Sequence, residues 1–212
     1  MTGQPESDCT QLAYLGKREH IYAVDVFAAF ESFALSGLPG EQRPEVLRSF
    51  KMIREVRRDG HWRMGRDAEE PSASVEWRTP AGMLLAQFVE DGELITARGP
   101  DNPRRVSSLD PEGSFSGRAL LRPPTGTPDL LLGLVQANKG LHVHALQELG
   151  LPHDKIRIIY VEGLPFLAEP DSSEVELEFN HKGRRKMGER TYTLAEVRLP
   201  GSQAPLRLCF SC

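Results

Sequence analysis

Between Thr127 and Gly150 the apolar positions of this 212-residue chain recur with a helical period, and both ends of the run are marked. Thr127 is placed to cap a helix, Pro128 suits its first position, and Asp129 lies in the positive first turn. Gly150, followed by Leu151 and Pro152, supplies the stop. The intervening DLLLGLVQANKGLHVHALQEL is apolar on more than one face, which predicts a buried helix. Gly133 and Gly140 each cost a helix interior about 1 kcal/mol relative to alanine, so a strand, a ligand or another helix is expected to approach closely there. After Gly150 the period becomes two. Ile156 to Val161 is a β-branched run suited to a central strand, and Val175, Leu177 and Phe179 alternate with glutamates as in a strand with one wet face. Tyr192 and Leu194 keep one phase while Val197 and Leu199 keep the other, which predicts a β-bulge near Ala195. Leu206, Leu208 and Phe210 finish the sheet, and Ser114 to Leu121 forms an opening strand before the helix.

The first half repeats this order. IYAVDVFAAFESFAL is strongly apolar without glycine or proline, and Ser36-Gly37-Leu38-Pro39 stops it as Leu149-Gly150-Leu151-Pro152 stops the other. Gly37 and Gly150 stand 113 residues apart. Leu47 to Val56, His61 to Met64, Val75 to Trp77 and Met83 to Val89 come next as strands, the last two joined by a turn at Thr79-Pro80-Ala81-Gly82. One helix followed by four strands, twice, predicts an α+β fold built as an internal repeat. The expected divisions are a first repeat over 1–91, a linker over 92–113 rich in Pro, Gly, Asp, Asn and Ser, and a second repeat over 114–212.

Composition narrows the class of partner. A net charge of −4 opposes broad nucleic-acid binding, which needs a basic surface to displace counterions. No stretch reaches the ~18–20 apolar residues of a membrane helix, and the N-terminal MTGQPESDCTQ lacks the pattern of a signal peptide. Cys9, Cys209 and Cys212 are an odd count that suits a reducing cytoplasm rather than a disulfide framework. Cys209 and Cys212 form a C-x-x-C without a second pair, so no metal is expected. Phosphate-cradling glycine loops and nucleophile elbows are absent, and no cofactor is expected.

A short opening strand, a long apolar helix and a curved four-strand antiparallel sheet look like the hotdog fold, and two in one chain resemble a tandem (double) hotdog. TPDLLLGLVQANKGLHVHALQELGLP is similar to the long helix of A-factor-synthase-like domains, and HKGRRKMGERTYTLAEVRL is similar to their basic hairpin and final strand. HIYAVDVFAAFE, from His20 to Glu31, resembles a thioesterase segment running from a histidine through a tyrosine to a phenylalanine-glutamate pair. The aspartate and asparagine flanking that histidine in thioesterases are missing here. The dehydratase pattern of a histidine with glycine four and proline nine residues later is missing too. The resemblance implies an enzyme acting on acyl thioesters of coenzyme A or acyl carrier protein, by hydrolysis, dehydration or acyl transfer, in fatty-acid or secondary metabolism. The other classes are a non-catalytic protein holding a hydrophobic ligand or acyl chain, and an interaction protein with no ligand. Further homodimerisation fits either.

In a hotdog the acyl chain would lie along the helix with its carbonyl at backbone N–H groups of a helix N-terminus, for which Gly126 and Thr127 are the candidates. Leu131, Leu134 or Val135, Asn138, His142, Ala145 and Leu149 keep to one 3–4 stripe, so Asn138 and His142 share a face. That pair either orients a water or substrate carbonyl, with His142 as general base, or is a hydrogen-bonded polar pair in the core. His144 lies on another face. Gln136 is a supporting partner or a solvated residue. At the 113-residue spacing Asp25 matches Asn138 and is either its diverged catalytic counterpart or the cap of a helix starting at Val26. His20 and Glu31 are further acid–base candidates, Glu31 on the expectation that Phe27, Phe30 and Phe33 bury it. Arg184, Arg185 and Lys186 either grip phosphates or an acidic carrier-protein surface, or form a solvated hairpin tip.

Overall fold

The structure, a computed structural model, describes residues 10–15, 21–66, 68–80, 82–113, 115–148, 150, 156–167, 172–188, 190–202 and 204–211. Its backbone divides into two compact units, Met1–Pro103 with Leu164–Phe166, and Arg104–Gly163 with Leu167–Cys212.

The first unit holds β1 (Tyr14–Leu15), α1 (Ala23–Ser36), β2 (Val46–Met52), β3 (Arg58–Met64), β4 (Ala73–Thr79), β5 (Gly82–Leu94) and β6 (Arg98–Gly99). Helix α1 starts at Ala23 with Tyr22 at its N-cap, so Asp25 lies in the first turn and does not cap a helix starting at Val26. Antiparallel pairing sets β2, β4, β5 and β3 side by side in that order. Thr79 pairs with Gly82, whose φ of +132° is open to glycine, which closes the predicted hairpin. The helix is fastened by aromatic contacts. Phe30 meets Trp62 at 5.2 Å and Trp77 at 5.3 Å, and Phe27 meets Phe50 at 5.2 Å, all in tilted or edge geometry. The Trp77 indole N–H, which burial would otherwise leave unsatisfied, donates to the Gln42 carbonyl at 2.7 Å.

The second unit holds β7 (Val106–Pro111), β8 (Gly117–Leu121), α2 (Thr127–Glu148), β9 (Arg157–Pro165), β10 (Val175–Met187), β11 (Arg190–Arg198) and β12 (Leu206–Ser211). Its antiparallel order is β9, β12, β11, β10, β8, β7. Within 92–113, expected as linker, lie the end of β5, all of β6 and all of β7. Polar composition misled there, because β7 is an edge strand whose Ser107, Ser108 and Asp110 are exposed.

Two further expectations are corrected. Thr127 is the first helical residue rather than the cap: Leu130 N–H donates to Gly126 O at 3.1 Å, and the Thr127 hydroxyl accepts from Leu167 N–H at 2.9 Å. The bulge is not in β11 near Ala195. Thr193, Ala195 and Val197 all turn inward on one unbroken phase, and the register slips across the ladder in β10, between His181 and Gly183. Tyr192 and Leu194 suggested the other phase only because they are apolar, yet Leu194 is exposed.

The expected repeat does not extend to strand order. Counting strands from each helix, the first unit orders them first, third, fourth, second, whereas the second orders them first, fourth, third, second. The expected 113-residue spacing matches the positions of the helix ends and of β2 and β9 directly after them, but not the order of the later strands.

The helical glycines mark close strand contacts, one of the three expected causes. A Cβ on Gly133 would meet Leu121 Cδ1 at 2.5 Å, and one on Gly140 would meet Leu109 Cδ2 at 2.7 Å. Leu121 is buried and Leu109 only half-buried. Gly133→Ala is therefore expected to lower stability by about 1–3 kcal/mol through overpacking, in spite of better helix propensity. Gly140→Ala, whose neighbour can swing aside, is expected to stay within about 0.5 kcal/mol. Urea midpoints measure both, and a Gly133→Ala protein as stable as the parent would contradict this packing.

Candidate functional site

Helix α2 turns Leu131, Leu134, Asn138, His142 and Ala145 inward, and Asn138 and His142 have no exposed surface. A buried imidazole must satisfy both ring nitrogens. His142 Nδ1 lies 2.8 Å from the Asn138 carbonyl oxygen, one helical turn back, and Nε2 lies 2.8 Å from Thr193 Oγ1 on β11. A carbonyl only accepts, so Nδ1 carries the proton, Nε2 holds the lone pair, and the Thr193 hydroxyl donates to it. Burial pushes His142 below its ordinary value of 6.5, opposed by the carbonyl bond and reinforced by nearby His181. The imidazole is neutral at pH 7.

Asn138 has one side-chain atom 3.2 Å from His142 Nδ1 and the other, Oδ1, buried with no hydrogen-bond partner among the described residues. A half-turn of the amide exchanges the two. Because Nδ1 is a donor, the favoured orientation presents the oxygen to it and leaves the NH2 as the buried group without a partner.

His181, on β10, is half-buried, and its Nε2 is buried with no partner among the described residues. Phe115 stands between the two imidazoles, its ring centroid 5.0 Å from His142 and 5.1 Å from His181. Phe115 has a φ of +66°, uncommon for a bulky residue, and Gly117 beside it a φ of +155°. The two rings are thus brought to one cluster by a helix, a strand and a strained turn. Burial lowers the His181 pKa, the Gly183 backbone opposes it, and the Arg184 charge lowers it further.

The other expected residues are placed elsewhere. Gln136 accepts the Arg105 N–H at 2.8 Å, and Arg105 pairs with Asp129 at 2.6 Å, which fastens the start of α2. Gly126 is half-buried before the helix, and the buried Thr127 binds the Leu167 backbone. His144 is turned out towards Glu148 at 3.3 Å. Asp25 and Glu31 belong to α1, both half-buried, so Glu31 is not enclosed as Phe27, Phe30 and Phe33 are. Arg184, Arg185 and Lys186 are exposed along β10. His20 and Cys212 lie outside the described residues. Among the described residues no group of His, Cys, Asp or Glu is placed to hold a metal, and no helix is long and apolar enough to cross a membrane.

Thr193, His181 and Phe115 were not expected. A signal existed for two of them. His181 continues the inward alternation of Val175, Leu177 and Phe179, and Thr193 continues Val197 and Ala195 backwards. Nothing local marked Phe115.

The fold is that of hotdog proteins: α+β, with antiparallel sheet and a long helix. Two solved structures resemble it over the whole chain. The tesB protein of Mycobacterium avium subs. paratuberculosis is 11% identical, with all of this chain and 93% of that one covered and a TM-score of 0.52. A protein of unknown function with a hot dog fold from Alicyclobacillus acidocaldarius is 13% identical, with 100% and 93% covered and a TM-score of 0.51. The enoyl-isomerase of a trans-acyltransferase polyketide synthase is 10% identical, with 98% and 99% covered and a TM-score of 0.49. No protein-family model matches the sequence. No curated protein matches it.

The neutral histidines fix how stability depends on pH. Both have folded-state pKa values lowered below 6.5, so between those values and 6.5 the unfolded chain binds more protons than the folded one. Stability is then complete above about pH 6.5 and declines as the pH falls. Thermal unfolding monitored from about pH 7 down to 5 should show a falling Tm, with a shallower fall in His142→Gln and some slope left from His181. An identical slope in that variant would mean His142 is not held neutral.

Proposed function

We propose that this protein is an enzyme acting on acyl thioesters of coenzyme A or acyl carrier protein, with its reactive groups on α2. The observation that carries this is the Asn138 side chain, fully buried with an amide atom unpartnered, one turn from a neutral imidazole. An unpaired buried polar group costs about 1–3 kcal/mol, and a leucine there would avoid it. A buried NH2 donor beside a base is what polarising a thioester carbonyl requires. His142 Nε2 takes the proton in this scheme. Its lone pair rests on the Thr193 hydroxyl, so a substrate group or water must take that hydroxyl's place before transfer. The hotdog fold is compatible with this chemistry but does not select the reaction among hydrolysis, dehydration and acyl transfer. We also infer that the two units are diverged hotdog copies, since each sets one helix before four antiparallel strands.

A second reading, a protein that holds an acyl chain without turning it over, is favoured by the absence of exposed surface on Asn138 and His142. Mass spectrometry of the intact protein incubated with an acyl-CoA panel separates the two. Free CoA, or a product lighter by one water, is expected, reduced about 10²–10⁴-fold in His142→Ala and strongly in Asn138→Leu. Thioesters that bind but persist unchanged would establish the binding protein instead.

A further inference from the structure

The slip in β10 changes which cations share a face with the site. Residues directly opposite in an antiparallel pair project from the same side of a sheet. Before the slip, Phe179 pairs with Val197 and His181 with Ala195, all on the inner face with Thr193. After it, Arg184 pairs with Thr193 and Lys186 with Thr191, whereas Arg185 pairs with Tyr192 on the outer face. Without the extra residue, Lys182, strict alternation would put Arg184 and Lys186 outside. Lys182 itself points out, its ammonium 3.0 Å from Glu196. The bulge thus turns two of three consecutive cations towards the face that carries Thr193 and His142.

We propose that Arg184, with Lys186 beyond it, forms an oxyanion-binding subsite that takes a carboxylate on the acyl group, beside a His181 imidazole that takes up a proton at Nε2 and donates to the anion once it is bound. The inference rests on the acyl-thioester reading above. Three observations converge on it. Arg184 is exposed, among the described residues no ion pair holds it, and it lies close enough to His181 for its charge to be felt there. His181 Nε2 is buried and unpartnered among the described residues. Thr193, the cross-strand neighbour of Arg184, is hydrogen-bonded to His142.

Distance selects the carboxylate over a phosphate. Cross-strand Cα atoms stand about 5 Å apart, so an anion held by Arg184 lies within one arginine side chain's reach of Thr193. The phosphates of coenzyme A, or of a carrier protein's prosthetic arm, are separated from the sulfur by the whole pantetheine chain. The distal carboxylate of a short dicarboxylic acyl group is only a few bonds from the thioester carbon. An arginine fork also matches a carboxylate bidentately.

The test compares succinyl-CoA with butyryl-CoA by calorimetry on the full chain, alongside free succinate monitored through the His181 imidazole NMR signals. Arg184→Ala is expected to weaken succinyl-CoA by about tenfold or more and butyryl-CoA by less than about twofold. Arg185→Ala, which removes the same charge from the opposite face, is expected to leave both nearly unchanged. Succinate should shift the His181 signals in the parent and not in Arg184→Ala. Equal losses in Arg184→Ala and Arg185→Ala would reduce the cluster to an unspecific basic patch. Equal losses for the two thioesters in Arg184→Ala would assign the arginine to a phosphate. Either overturns the proposal, as does a His181 signal indifferent to succinate. If neither thioester binds while succinate still shifts His181 through Arg184, the thioester reading fails and the carboxylate subsite stands.

Discussion

The second unit is organised around the hydrogen bond from Thr193 on β11 to His142 on α2. An imidazole with no contact to water is tolerable only if neutral and satisfied at both nitrogens. The helix supplies one partner from within itself, the Asn138 carbonyl, which by regular helix geometry also accepts the His142 backbone N–H. The sheet must supply the other, so Thr193 is held inward and the phase of β11 is set along its length. Rotating α2 by one residue, or slipping β11 by one, would break the bond and bury an orphaned nitrogen. This one polar contact gives the interface a register that leucines alone would specify loosely.

Strand β10 has to serve that register and also end on a solvated hairpin. Its first part faces Leu177 and Phe179 into the core, and its last part, from Arg184 to Met187, is exposed. An uninterrupted alternation would carry both jobs on one phase. The extra residue at Lys182 separates them, and its ammonium on Glu196 keeps the bulged residue outside. Phe115, in a backbone conformation costly for its shape, fills the space between the two histidines where the strand turns from core to surface.

How much of the molecule was legible in the sequence depends on the range of the forces involved. The glycine stops and apolar periods that mark α1, α2 and the strands act over a few residues, and those elements stand close to where they were expected. The Asn138–His142 pair was legible for the same reason, being one turn apart on one helix. The alternation of β10 and β11 marks Thr193 and His181 as inward, but their roles come from neighbours on other elements, Thr193 lying 51 residues from the histidine that needs it. Apolar residues usually mark the inward set, but at Tyr192 and Leu194 that rule inverts the phase, because a threonine bonded to a buried histidine outranks an exposed leucine. Strands lie within the polar stretch 92–113 because an edge strand is polar by necessity. Winding order was beyond reach of composition altogether, as the different strand orders of the two units show.

That difference bears on how far the halves share a site. The 113-residue spacing aligns the C-terminal ends of the helices, and α2, at 22 residues against 14, extends further at its start. Asp25 therefore falls in the first turn of α1, where the positive end of the helix dipole favours a charged carboxylate. Asn138 falls in the middle of α2, where the dipole exerts little end effect and burial is complete. Two positions 113 residues apart thus occupy opposite environments, one suited to a charge and the other to a neutral amide. Strand order departs as well after the first strand, so the place that β11, the third strand, holds in the second unit is held in the first by β5, the fourth. A site of the kind seen in the second unit needs the neutral mid-helix pair and the inward hydroxyl together, and among the described residues α2 with β11 provides both.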